Sequence, residues 1–128
     1  ITGALETGAV KKLDKAGIKH EIIIVPGAFE IPFTIRQHYL HSSTKPSAYI
    51  ALGCVLRGDT PHFDYVCQSV TDGITHLNLE LSVPSIFGVL TVDTLQQAYD
   101  RIGGKHGHKG EEAAATALKM MTILKSFQ

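Results

Sequence analysis

The chain reads as a three-layer α/β/α domain built on a parallel sheet, and three observations predict it. Helix-like and strand-like segments alternate along its 128 residues. The stretch "AYIALGCVL" at 48–56 is continuously apolar rather than alternating, as in a strand covered on both faces. Between the strand-like stretches lie segments with helical spacing, and helical crossovers are how parallel strands are joined.

The elements follow in order. Leu5, Val10, Leu13 and Ile18 recur at roughly helical intervals, and Gly17 ends that first helix. "EIIIV" at 21–25 is β-branched and stops at Pro26-Gly27, which predicts a strand. A second helix is expected over 30–41 with Pro32 in its first turn, and "SSTKPS" at 42–47 has loop chemistry. After the strand at 48–56, Pro61 suits the first turn of a helix over about 61–81, capped by Asp59 or Thr60. "SIFGVLT" at 85–91 reads as another strand. Asp93 or Thr94 then caps a short helix to Ile102, stopped by Gly103-Gly104, and "EEAAATALKMMTILKSF" forms the last helix with two carboxylates at its positive end.

A domain of this kind usually opens on a strand, whereas this chain opens inside a helix. The expectation is one domain over 1–128, N-terminally incomplete, with its first strand upstream of residue 1. The last helix carries alanine or larger apolar residues over more than one stripe, from Ala113 to Phe127. That pattern suits either burial between layers or contact with another subunit.

Composition narrows the function classes. Twelve basic and twelve acidic residues cancel, so no net field argues for nucleic acid or a membrane surface. No apolar run approaches the roughly 18 residues that span a bilayer. Cys54 and Cys67 are the only cysteines and form no CxxC pair, so a reducing, cytoplasmic setting is expected, or a plastid if a transit peptide has been removed.

In open parallel sheets, ligands bind beyond the carboxyl ends of the strands, where helix N-termini aim their amides outward. Three places qualify: "PGAFE" with Glu30, "RGDTPH" after the next strand, and Phe87 with Gly88, all expected along one edge of the sheet. Gly58, Asp59 and Thr60 combine permissive backbone, a hydroxyl and exposed amides, which suits a phosphate and equally suits an ordinary helix cap. Arg57 is placed to add charge. His62 falls in the first turn of its helix, where the dipole favours neutral imidazole, a group that takes and returns protons near neutral pH. Its other reading is a capping or core histidine. Around "GGKHGHKG", the cations Arg101, Lys105 and Lys109 can reach a phosphate or simply complement a helix C-terminus. His106 and His108 form an HxH with no Cys or carboxylate set beside it, so no metal is expected. GxxxxGK[ST] and GxGxxG are absent.

Four stretches, "VPGAFEIP" (25–32), "ALGCVLRGDTPHFDYV" (51–66), "FGVLTVDTLQQA" (87–98) and "GGKHGHKGEEAA" (103–114), together resemble the lumazine synthase family of riboflavin biosynthesis. The resemblance covers essentially the whole chain. It implies a flavodoxin-like fold and a homo-oligomer, a pentamer or a sixty-subunit shell, with active sites between subunits. It implies condensation of 5-amino-6-(D-ribitylamino)uracil with 3,4-dihydroxy-2-butanone 4-phosphate, two small-molecule substrates, without metal or redox cofactor. Carried over residue by residue, Ala28, Phe29 and Glu30 would line the pyrimidine and ribityl pocket with Cys54, Val55 and Leu56. Asp59 and Thr60 would cradle phosphate, His62 would transfer protons, and a neighbour would supply Phe87, Arg101 and Lys109. The family's upstream strand would also supply an aromatic residue that stacks on the pyrimidine. His108 stands where asparagine is common in the family's "GxKG". A non-catalytic flavin or lumazine binder, or a mainly shell-forming protein, is the competing reading on the same fold.

Overall fold

The computed structural model describes residues 1–128. Helix α1 (Thr2–Lys15) ends where Gly17 adopts a positive φ of 70°, a conformation that costs a side-chain-bearing residue but not glycine. Helix α2 (Ile31–His41) follows a 3₁₀ turn at Ala28–Glu30 and carries Pro32 in its first turn, where no intrahelical donor is lost. Strand β1 (Tyr49–Leu56), helix α3 (His62–Glu80) and strand β2 (Ser85–Val92) form a β-α-β unit. Its strands pair in parallel, from Tyr49 with Ser85 to Leu56 with Val92. Helix α4 (Leu95–Tyr99), strands β3 (Ile102–Gly104) and β4 (Gly107–His108), and helix α5 (Lys109–Lys125) complete the chain.

Parity along β1 and β2 divides the core. Ala51 and Val89 face α2 and α3, packing with Ile31, Ile35, Val70, Ile74 and Leu77. Ile50, Leu52, Ile86 and Leu90 face α1 and α5, packing with Leu5, Ala9, Leu13, Ala113, Ala114 and Ala117. Both faces are covered, which is why the strands read as continuously apolar. Leu5 and Ala114 are completely buried; sequestering a leucine side chain contributes about 1.5–3 kcal/mol. The small residues of α5 permit close approach. Gly8 of α1 lies so near the His108 ring that any Cβ there would collide with it. Asn78 of α3 fixes the start of β2: its Nδ2 donates to the Ser85 carbonyl (3.0 Å) and its Oδ1 accepts the Ser85 amide (2.7 Å).

Four expectations are corrected. Residues 21–25 form no strand, because the sheet within 1–128 contains only β1 and β2 and no strand lies alongside "EIIIV" to complete a ladder. Ile24 consequently stays 88% exposed. The short helix ends at Tyr99, not Ile102, because Ile102 pairs with His108 in an antiparallel hairpin. "GGKHGHKG" is therefore that hairpin and the first turn of α5 rather than a plain interhelical loop. Helix α5 starts two residues earlier than expected, capped by His108, whose Nδ1 accepts the Glu111 amide at 3.3 Å. Neither Asp59 nor Thr60 is the N-cap of α3: that position is Pro61, with no side-chain cap, and the Thr60 hydroxyl accepts the His62 amide at 3.4 Å from one residue earlier. Of the two caps considered for the short helix, Thr94 serves, in a reciprocal capping box with Gln97. On α5 the burial between layers holds for Ala113, Ala114 and Ala117, whereas Ile123 and, just past the helix, Phe127 are exposed.

Candidate active site

At the carboxyl end of β1 the chain turns outward and leaves a cavity of about 240 Å³. Cys54, Val55 and Leu56 line it from the strand, Gly58 and Thr60 from the turn, His62 and Phe63 from the first turn of α3, and Ala28 from the turn before α2. Six residues expected in the site thus meet here: Ala28, Cys54, Val55, Leu56, Thr60 and His62. Phe29 and Glu30 sit in the adjoining 3₁₀ turn without lining the cavity, Phe29 being largely exposed. Asp59 is exposed on the same turn as Thr60 and likewise lies outside the lining. Phe63 and Val66, which also line the cavity, were missed; their i, i+3 spacing on α3 was the available signal.

The electrostatics of this cavity differ from the sequence reading. Arg57 is not free to meet an anion, since its Nε donates to Asp93 Oδ1 at 2.6 Å and an Nη reaches Asp64 Oδ1 at 3.4 Å. The hydrogen bond donated to Asp93, with further help from Asp64, holds the guanidinium above its usual range. Burial pushes the Cys54 thiol up, so it is a protonated, weakly nucleophilic wall. His62 is exposed at the helix start beside the Thr60 hydroxyl, so its ring is accessible to a ligand in the cavity.

A second cavity, about 340 Å³, lies between the start of β2 and the start of α5. Phe87, Ser85, Lys109, Glu112 and Thr116 line it. The Ser85 hydroxyl is buried without a hydrogen-bond partner. Arg101 joins this region through its carbonyl, which accepts the Lys109 amide at 2.7 Å. Phe87, expected at the same edge as the other two stretches, pairs instead with Ala51. That puts it roughly 16 Å short of the carboxyl end of β2, at about 3.3 Å per residue. One chain therefore brings Phe87 and Lys109 together around this second cavity, with the Arg101 backbone beside Lys109, and none of the three lines the His62 cavity. No group of three or more His, Cys, Asp or Glu is arranged to hold a metal ion, and His108 Nδ1 is occupied as a cap.

The family model for 6,7-dimethyl-8-ribityllumazine synthase matches residues 1–125. The chain belongs to the 6,7-dimethyl-8-ribityllumazine synthase family. Among its relatives, the 6,7-dimethyl-8-ribityllumazine synthase of Parabacteroides distasonis is 54% identical over 126 residues, spanning 96% of this chain and 78% of the relative. That of Porphyromonas gingivalis is 55% identical over 123 residues, 94% of this chain and 75% of the relative. That of Bacteroides fragilis is 50% identical over 127 residues, 97% and 87% respectively. The parallel strands covered on both faces fit the flavodoxin-like, three-layer architecture expected for a lumazine synthase. No helix is long and apolar enough to cross a membrane.

Proposed function

We propose that this chain condenses 5-amino-6-(D-ribitylamino)uracil with 3,4-dihydroxy-2-butanone 4-phosphate in an active site assembled from its two cavities on neighbouring copies. The products are 6,7-dimethyl-8-ribityllumazine, phosphate and two molecules of water. The observation that carries the reading is the cavity at the end of β1, where the family motif residues Cys54 to Leu56, Thr60 and His62 converge.

In this reading the pyrimidine and its ribityl chain lie against Ala28, Cys54, Val55 and Leu56, with Phe29 and Glu30 closing over them. Backbone amides of Gly58 to Thr60 and the Thr60 hydroxyl hold the phosphate, so the Asp59 carboxylate need not face it. A neighbour contributes Phe87 to the pyrimidine, Arg101 to the phosphate and Lys109 to the ribityl chain or phosphate. The division is supported by charge: the His62 cavity has no free cation, while Arg101 and Lys109 form no ion pair within their own chain. The 5-amine attacks the ketone and water leaves to give an imine; phosphate elimination then yields, after tautomerisation, a second carbonyl, which the ribityl-bearing nitrogen attacks with loss of a second water to close the ring. These steps need proton shuffling that one imidazole can provide, and holding two substrates together supplies much of the rate. No metal or redox cofactor enters. The free edge of β1 and the unpaired 21–25 segment support a further strand between them, bearing the stacking aromatic. A closed ring of five copies, alone or in a sixty-subunit shell, satisfies the shared sites. Two unpaired cysteines fit a cytoplasmic setting.

The test is to mix the protein with both substrates and follow lumazine fluorescence. Product formation is expected; an assembled sample that binds flavin yet makes no lumazine would establish the non-catalytic binder instead. Sedimentation as a monomer under turnover conditions would rule out the shared site.

A further inference from the structure

We propose that Arg57 is a positioning residue for the lumazine reaction: it clamps the turn that carries the phosphate cradle and His62, and it does not itself bind phosphate. The catalytic consequence rests on the assignment of His62 above, while the clamp itself stands on geometry.

The turn from Gly58 to Pro61 has little of its own to hold it. Leu56 through His62 are all exposed, and nothing lies within 4 Å of where a Gly58 side chain would begin. The turn is therefore fixed from its ends. At the first end, Arg57 prolongs the strand pairing, its amide donating to the Val92 carbonyl at 2.9 Å. Its side chain then reaches across to the second end. The guanidinium stacks 4.4 Å from the Phe63 ring centroid and approaches Asp64 Oδ1 at 3.4 Å, gripping the two residues that follow His62. Nε donates to Asp93 Oδ1 at 2.6 Å, which ties both ends to the turn after β2. That anchor is itself immobilised, because the Gln97 side chain accepts the Asp93 amide at 2.7 Å within the Thr94 capping box.

Two carboxylates around one guanidinium leave no net positive charge to attract a phosphorylated substrate. A planar fork is needed to engage Asp93 and Asp64 while stacking on Phe63, and lysine, a point charge on a flexible stem, cannot do all three. Exposed ion pairs add little to global stability, so the clamp is expected to be felt in turnover rather than in melting temperature.

The experiment compares Arg57→Ala, Arg57→Lys, Asp93→Asn and the Arg57→Ala/Asp93→Asn double variant in the assembled enzyme. Each single variant should lower kcat by about tenfold, the cost of a modest misplacement of reacting groups. The KM for the butanone phosphate should change less than about threefold. The double variant should be no slower than either single one, as for partners in one interaction. Loss confined to the phosphate-substrate KM, or an Arg57→Lys enzyme with full kcat, would make Arg57 a simple charge and overturn the proposal. Additive losses in the double variant would do the same. Amide hydrogen exchange at positions 57, 64 and 65, whose amides are hydrogen-bonded at the two ends of the turn, gives a readout separate from activity. It should accelerate in Arg57→Ala and Asp93→Asn, even in a protein that makes no lumazine, and unchanged exchange would sink the clamp while leaving the assigned reaction intact.

Discussion

At the carboxyl end of β1 the Arg57 guanidinium is held by Asp93 and Asp64, whereas around the start of α5 the cations Arg101, Lys105 and Lys109 make no ion pair. The first region has an imidazole, a hydroxyl, helix-start amides and an apolar wall. The second has an aromatic ring and free positive charge. Neither alone suits a phosphorylated ketone and a ribityl-pyrimidine together. The difference teaches that the two cavities are unlike in charge as well as in position; if they form one site between copies, as proposed, assembly becomes a condition of activity.

The largest effect should come from the first region. His62→Ala is expected to lower kcat about a hundredfold while leaving residual turnover from substrate positioning, measured by lumazine formation at saturating substrates. An unchanged rate would remove the proton-transfer assignment. In the second region, Arg101→Ala should raise the KM for the butanone phosphate about tenfold through loss of a charge-assisted contact, with the pyrimidine KM nearly untouched. Coexpressing the His62→Ala and Arg101→Ala chains sharpens the contrast. If sites are shared between copies, random assembly rebuilds about one intact site in four; no recovery above the single variants would place both residues in one chain's site.

A smaller effect concerns how the second region is held. Replacing a helical glycine by alanine favours a helix by about 1 kcal/mol. Gly3→Ala, with nothing within 4 Å of the added carbon, should gain it. Gly8→Ala should instead lose about 1–3 kcal/mol in urea unfolding by forcing the His108 ring away from the cap of α5. It should disturb phosphate-substrate KM more than the His62-dependent rate. The smallest effect is at Cys54. Burial raises its pKa, so at a fixed pH less thiolate is present, and alkylation should run a few-fold slower than in the unfolded chain, gaining rate only as pH rises. Lumazine should protect Cys54 further, and protection of Cys67 instead would misplace the ligand.

Much of this arrangement was legible along the chain. The unbroken apolar runs of β1 and β2 announced strands covered on both faces, and Pro32, Pro61 and Gly17 marked helix ends by their backbone limits. The strand-end rule located Thr60 and His62 before any contact was known. What failed depended on partners distant in sequence. "EIIIV" has strand composition but lacks a ladder partner within 1–128. Phe87 was expected at the same edge as the strand-end stretches because sequence alone does not give register; as third residue of β2, paired with Ala51, it lies near the amino end. Arg57 looked like an anion ligand because Asp93, far along the chain, is not visible as its partner. His108, noted as an unusual residue and half of an incomplete metal motif, is a helix cap, a role that either asparagine or a neutral imidazole can fill by accepting one amide.

The packing of α1 on α5 bears on how the molecule folds. Gly110 lies against Leu5 and Ala114 against Ala9, contacts that join segments about 105 residues apart in sequence and carry a high loop-closure cost. The β1-α3-β2 unit closes far shorter loops. It is therefore expected to organise first, with the α1–α5 contact arriving late. Contacts made after the transition state slow unfolding more than they speed folding, so this alanine- and glycine-lined seam acts as the closing latch on the lifetime of the folded chain.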